Sequence, residues 1–296
     1  MTAQHVRLVT GLLVPASLLL GLAGLVLMQL GIVEFRAPAR AVTAPATTIV
    51  ASRPFTYRAS GDYLRNGHPE DAPLVEVAAP QPLEIMTFEV GTADYGRCVA
   101  DGACRPAETR LQDGADLPVT GISFHDANDY AAWLSRATNS TWRLPTIEEW
   151  LFAAGSQAVD PALDSPTDAG NPAERWLAQY EKEMVLGDDA FATPEPLGSF
   201  GANEFGISDM TGPVWEWTST CATRTVLDTE GNVLSHIDSC GVRHLEGRHR
   251  AAMNFFVRDA RGGGCAVGAP PDNIGFRLIR EPAWHEALFR SAFGRR

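Results

Sequence analysis

The sequence predicts a globular body of mixed short helices and short strands, carried behind one membrane-spanning helix. Three observations lead there. Leu8 to Val33 is an uncharged run of 26 residues, long enough to cross a bilayer with some tilt. Beyond it, short β-type runs and short amphipathic helical runs follow one another with no single period. Gly198 to Thr218, reading GSFGANEFGISDMTGPVWEWT, packs glycines, a proline, carboxylates and two tryptophans into one stretch, which reads as turns leading into a strand. If Val214 to Thr218 is extended, Trp215 and Trp217 share a core-facing side. Glu216 then points the other way, where a carboxylate needs water, a cation or donors.

The chain has 296 residues, is 45% hydrophobic and 20% charged, and carries a net charge of −12. That is enough for one large domain or two small ones. Residues 1–40 hold three arginines and one glutamate, so they carry +2 and the remainder carries −14. An acidic body argues against nucleic-acid binding, which calls for a basic face. Lys182 is the single lysine, against 23 arginines, and it sits in a polar run with the look of a solvated helix face. Schiff-base chemistry is set aside on that ground.

The apolar run at 8–33 exceeds a signal-peptide core, and Pro15, Gly21 and Gly24 are tolerated in membrane helices. The expectation is an uncleaved anchor over residues 1–36. Basic residues flank it on both sides, and their count alone favours a cytoplasmic body. The five cysteines, Cys98, Cys104, Cys221, Cys240 and Cys265, pull the other way, since paired cysteines favour an oxidising compartment. The reading adopted is a single-pass inner-membrane protein with its body in the periplasm. Residues 37–82, rich in Ala, Pro and Arg, read as a linker, with one weak strand candidate at Leu74 to Val77.

Ile85 to Val90 reads as a strand. Thr92 to Val99 reads as a helix with Thr92 as N-cap. Cys98 and Cys104 bracket a short loop that a disulfide would close. Pro118 to Phe124 is a second strand candidate, and His125 to Thr138 a helix with Ala127, Tyr130, Ala131 and Leu134 on one face. Thr146 and Glu149 form a capping box for the helix bearing Trp150 and Leu151, which Gly155 can end. Glu148 and Glu149 therefore read as helix-start residues. Ser156 to Asn171 is an acidic loop whose Asp160, Asp164 and Asp168 could offer oxygen to calcium, without EF-hand spacing. Pro172 to Met184 reads as helical. Thr223 to Ser239 reads as a hairpin turning at Glu230 to Asn232, with Cys221 and Cys240 placed to bridge its base. Residues 281–296 read as an amphipathic tail that docks on the body.

Cys240, His244, His249 and Cys265 are metal-type ligands, but a strand would put His244 and His249 on opposite faces. Hydrogen-bonded histidines and bridged cysteines are the stronger reading. Cys265 follows Arg261-Gly-Gly-Gly264 and is the candidate unpaired thiol, with Arg261 and Arg258 placed to lower its pKa. A bridge from Cys265 to Cys221 or Cys240 is the alternative.

An ordered series of segments carries a resemblance. It runs Glu89-Val90 with Tyr95; Pro118-Val119 and Ile122-Ser-Phe124; Asp126-Ala127, Tyr130 and Trp133-Leu134; Arg143-Leu-Pro-Thr-Ile-Glu-Glu-Trp150. It continues with Asn203-Glu-Phe-Gly-Ile-Ser-Asp-Met210, Gly212 with Val214-Trp-Glu-Trp217, and Asn273-Ile-Gly-Phe-Arg277. Over residues 83–280 this resembles the formylglycine-generating enzyme, or sulfatase-modifying factor, family, whose relatives serve ergothioneine and pyoverdine pathways. The resemblance implies a single α+β domain, lectin-like and irregular. It implies calcium in acidic loops, with Glu216 and Asp209 as candidate ligands, although Pro213 stands where the family has an asparagine ligand. It also implies two copper-binding cysteines within Arg250 to Phe255, where this chain has none, so copper is not expected. Arg258 and Arg261 match the family's closing arginines and Arg277 its final Gly-Phe-Arg motif; Arg258, Arg261 and Cys265 are the catalytic candidates, and structural pairing with buried carboxylates such as Glu216 or Asp209 explains the arginines equally well. The function implied is an accessory or maturation factor for a periplasmic protein or exported metabolite, with a denitrification nitrite reductase as one such partner. The alternative is an oxidoreductase acting on a cysteine or small thiol.

Overall fold

The computed structural model describes residues 42–108, 114, 116–159, 174, 177–178, 181, 193–258 and 273–281. The expected membrane span, the acidic loop with Asp160, Asp164 and Asp168, Arg261, Cys265 and the tail lie outside them. Among the described residues no helix is long and apolar enough to cross a membrane.

In chain order the first strands are β1 (Thr47–Val50), β2 (Phe55–Arg58), β3 (Asp62–Arg65), β4 (His68–Glu70), β5 (Leu74–Val77) and β6 (Leu83–Met86). Helices α1 (Thr92–Ala100) and α2 (Phe124–Thr138), strand β7 (Thr141–Arg143) and helix α3 (Ile147–Ala154) follow. The last strands are β8 (Trp215–Leu227), β9 (Val233–Glu246), β10 (Ala251–Asn254), β11 (Ile274–Gly275) and β12 (Ile279–Glu281). One antiparallel sheet runs β1-β6-β12-β7. A second runs β10-β9-β8-β3-β4, with β11 beside β8, and β2 pairs β5 as a separate ribbon. In the first sheet Ile279 faces Ile85 on one side and Arg143 on the other.

The linker expected at 37–82 is corrected by β1 to β4, while β5 is the strand expected at Leu74 to Val77. Val50 is fully buried and β1 pairs β6 from Thr47–Met86 to Val50–Leu83. These strands are short, and their apolar residues are too sparse for a period of two to stand out. Pairing holds them in place instead: β1 bonds to β6 and β3 to β8, while β2 pairs β5 and β4 pairs β3.

Helix α1 starts as expected, but Gly91, not Thr92, occupies the cap position, without a side-chain cap bond. Gly91 is held extended by its bridge to Pro118, so the helix can begin only after it. The strand expected at Pro118 to Phe124 is that single bridge followed by irregular backbone. Its donors are satisfied one at a time: Val119 N–H on Val90 O at 2.8 Å and Ile122 N–H on Ile274 O at 3.3 Å. Ser123 then caps α2 in a reciprocal capping box with Asp126, so the helix begins at Phe124. The expected capping box of Thr146 and Glu149 starts α3, and Gly155 ends it at φ 59°.

The core under α3 gathers Trp150, Phe152, Ile85, Ile207, Met210 and Ile279. Trp215 and Trp217 are buried as expected, and so is Glu216, because both faces of β8 are covered. Gly275 of β11 must be glycine: a Cβ there would sit 2.6 Å from Val119 O. The predicted hairpin is the outer part of β8 and β9, and both predicted bridges form, Cys98–Cys104 and Cys221–Cys240.

Candidate functional site

Glu216 sits at the centre of a buried ion network. Its Oε2 accepts from Trp150 Nε1 at 2.9 Å and Arg277 Nε at 2.7 Å, and its Oε1 accepts from Arg277 Nη2 at 2.7 Å. Arg277 has no exposed side-chain surface and also donates to Ser208 O at 3.0 Å. A second carboxylate, Glu89, lies 3.5 Å from Arg277 Nη2, and its Oε2 is buried with no hydrogen-bond partner. Burial, partly offset by Arg277 and reinforced by Glu216, pushes the Glu89 pKa up from 4.5 to about 8. One guanidinium faces two carboxylates, so the proton on Glu89 acts as the missing second cation.

Asp209, at φ 64°, accepts from the Gly198 and Phe200 backbone N–H groups. Glu89, Asp209, Pro213 and Val214 border a cavity of about 10 Å³, the size of one water. Calcium takes six to eight oxygens. The proposed pair falls short of that set as arranged: Glu216 already accepts three hydrogen bonds from Arg277 and Trp150, and Asp209 accepts two from backbone donors. Among the described residues no group of three or more His, Cys, Asp or Glu is disposed to hold a metal.

The positions implied for the copper cysteines form β10. Register sets Ala251 opposite Leu245 and Met253 opposite Arg243, so these four share one face. Ala251, Met253 and Leu245 are all buried. On that side Arg243 stacks over the Phe124 ring at 4.5 Å, and Phe124 meets Trp217 edge-on at 6.0 Å. The sulfur within this stretch is the thioether of Met253, and the surface is packed, so the residues do not fit a copper(I) thiolate centre.

Arg258, a catalytic candidate, is tied to structure. It grips Asp126 with two bonds of 2.7 Å and reaches Glu108 at 2.7 Å. Asp126 has no exposed side-chain surface. Against the cost of its burial, Arg258 and the Ser123 hydroxyl and N–H hold its carboxyl below the usual range. Arg143 likewise clamps Glu149 and bonds Glu281 at 2.6 Å. The His/Cys cluster does not assemble as a metal site: Cys240 is bonded to Cys221, and His249 packs on Trp215 at 5.2 Å. Burial, then the charge of Arg250, push the His244 pKa down to about 4. The two bridges use four of the five cysteines, which leaves Cys265 as the odd thiol. The sequence reading missed Asp126 as the partner of Arg258, and the serine three residues before it was the available signal. It also missed Glu89 as the proton-holding partner of Arg277.

Fold and buried network together define an irregular α+β domain of the sulfatase-modifying type without the thiolate centre. The chain belongs to that family: residues 34–282 match the sulfatase-modifying factor enzyme 1-like domain. It is 36% identical over 118 residues to the formylglycine-generating enzyme of Mycobacterium tuberculosis, covering 38% of this chain and 36% of the relative. It is 29% identical over 169 residues to the inactive C-alpha-formylglycine-generating enzyme 2 of Bos taurus, covering 56% of this chain and 51% of the relative. Hercynine oxygenase of Mycolicibacterium smegmatis is 37% identical over 134 residues, covering 41% of this chain and 27% of the relative. The chain therefore spans about half or less of these relatives' lengths. In fold it is similar to PvdO from Pseudomonas aeruginosa, with a TM-score of 0.53, 22% identity, and coverage of 83% of this chain and 100% of that one.

Proposed function

We propose that this chain works by binding rather than by copper-dependent oxidation, as an accessory or maturation factor for an exported protein or metabolite. The observation that carries the reading is β10, where the expected cysteine positions are a buried alanine, a buried methionine and their neighbours. A relative described as an inactive formylglycine-generating enzyme is in keeping with it. The 26-residue apolar run would anchor the chain. Two disulfides favour a body on the oxidising, periplasmic side. A nitrite reductase as partner rests on the family resemblance alone.

The test supplies the purified chain with copper(I) and a sulfatase-type peptide containing a target cysteine, and follows the peptide by mass spectrometry. No aldehyde forms, and copper bound after desalting stays far below one per chain. Turnover to the aldehyde, or one tightly held copper per chain, overturns the reading. An alkaline phosphatase fusion at the C-terminus checks the side of the membrane: it is active if the body is outside.

The second reading is an oxidoreductase acting through Cys265 on a thiol or small metabolite. It is favoured by the odd thiol and by hercynine oxygenase among the relatives. With Arg258 committed to Asp126, that thiol would lack one of the two arginines expected to activate it. Inertness of Cys265 to a thiol reagent in the folded chain ends this second reading.

A further inference from the structure

A cavity of about 340 Å³ opens between β2, the end of α3 and the Glu204 turn. That volume falls at the lower end of the range of small-molecule pockets. Phe55, Leu151 and Leu74 give it apolar walls, and Arg53, Arg58 and Arg250 give it cationic ones. Among the described residues of the wall, Glu204 is the acidic one.

The arginines differ in what they already hold. Arg250 bonds Glu246 at 2.6 Å and the Arg58 and Ala59 carbonyls. Arg58 bonds the Ala72 carbonyl at 2.6 Å. Arg53 is clamped flat between two rings, its guanidinium carbon 4.2 Å from the Phe152 centroid and 4.3 Å from that of Phe205. Its Nη2 donates to Phe152 O at 2.9 Å, while its Nη1 is enclosed with no acceptor. Glu204 does not supply one: its two oxygens accept from Ser156 N–H at 2.8 Å and Ser156 Oγ at 2.7 Å. Gly155 makes this arrangement possible, since a Cβ there would meet Glu204 Oε1 at 2.3 Å and the Phe205 ring at 2.5 Å. The glycine lets that turn close on the helix end and lay Phe205 over Arg53.

A stacked guanidinium is fixed in orientation and loses little further freedom when it binds an anion. Burial, opposed by Glu204, already lowers the Arg53 pKa, in line with a cation short of counter-charge. The Glu204 carboxylate on the same wall disfavours a dianion such as phosphate and admits a monoanion. On the wall Phe55 stacks on Tyr57 at 5.5 Å and is backed by the buried Phe152 ring at 5.0 Å.

We propose that this cavity binds a small monocarboxylate with an aromatic or aliphatic body, its carboxylate on Arg53 and its body along Phe55 and Leu151. The site lies on β2 and the α3 end, apart from the packed β10 face, and it stands whether or not the chain has any oxidase activity.

The test uses 4-fluorophenylacetate as probe, its fluorine resonance followed as the full-length chain is titrated. Saturable binding is expected at or below about 1 mM, the range for a small ligand with one charged anchor. The neutral amide of the same acid and inorganic phosphate compete at least about tenfold more weakly. Arg53→Gln weakens binding by about tenfold or more. Leu74 is 57% exposed on the wall, so Leu74→Glu leaves the fold intact while placing a second negative charge there. It also lowers affinity, and a matched circular-dichroism spectrum confirms its fold. The proposal is overturned by no saturable binding up to about 10 mM. It is equally overturned by amide binding as tight as acid, or by unchanged affinity in Leu74→Glu.

Discussion

Replacing Glu89 with glutamine should flatten the dependence of stability on pH above neutrality. In the folded chain Glu89 keeps its proton to about pH 8, against 4.5 in an exposed carboxyl. Between those values the folded state binds more protons than the unfolded state, so stability falls as pH rises. The contribution is fully present below 4.5 and is lost through 8. His244 titrates in the opposite sense: its folded pKa of about 4 lies below the ordinary 6.5, so its effect is a loss of stability as pH falls from 6.5 to 4. His244 still titrates at the lower edge of the window from pH 6.5 to 8, and comparison with Glu89→Gln cancels it because both proteins share it. One group titrating there contributes up to about 1.4 kcal/mol per pH unit, hence about 2 kcal/mol across the window. For a body of this size that is roughly a 4–8 °C fall in melting temperature. Glutamine keeps the shape and carries no proton to lose. Urea unfolding of both proteins at the two ends of the window measures the effect. The wild type should lose about 2 kcal/mol more than Glu89→Gln. Parallel behaviour of the two proteins would refute the picture of Glu89 as the protonated partner of Arg277 and Glu216.

Two further outcomes follow from the same contacts. Arg258→Ala leaves Asp126 buried with only Arg105 and the Ser123 donors, and should cost about 3 kcal/mol in urea unfolding; a cost under about 1 kcal/mol would show that the pair is dispensable. Replacing both Cys221 and Cys240 with serine opens a loop spanning 19 residues in sequence, which loop entropy puts at about 3 kcal/mol. The double variant should melt lower by roughly 6–12 °C, and an unchanged transition would show that the β8–β9 arm unfolds apart from the rest.

Local features were legible because their causes are local. The Thr146–Glu149 capping box, the end of α3 at Gly155 and the two disulfides each depend on residues close in sequence, and each formed where expected. Of the strands of 47–77, β5 at Leu74–Val77 was legible and the other four were not. β1 and β3 pair with strands farther along the chain, Val50 beside Leu83 and Asp62 beside Arg224, and the residues of the four show little alternation. Arg53 and Phe55 were hidden with them, so the cavity they line was invisible. The Pro118 to Phe124 stretch failed differently: its apolar residues suit a strand, but each backbone donor finds a separate acceptor, so no ladder forms.

The sequence by itself determined the family, the tryptophan-rich core stretch and the lack of cysteines at the copper positions, because these rest on residue identity and order. Tertiary structure decided what the charges do. Glu216 was open to a metal or to an arginine, and Arg277, 61 residues later, takes it. Arg258 was expected beside a reactive thiol, and Asp126, 132 residues earlier, holds it. A charge in a chain has no fixed partner until folding removes water and sets which opposite charge is within reach. That choice is made by strand register and helix docking, and no local pattern in the sequence encodes it.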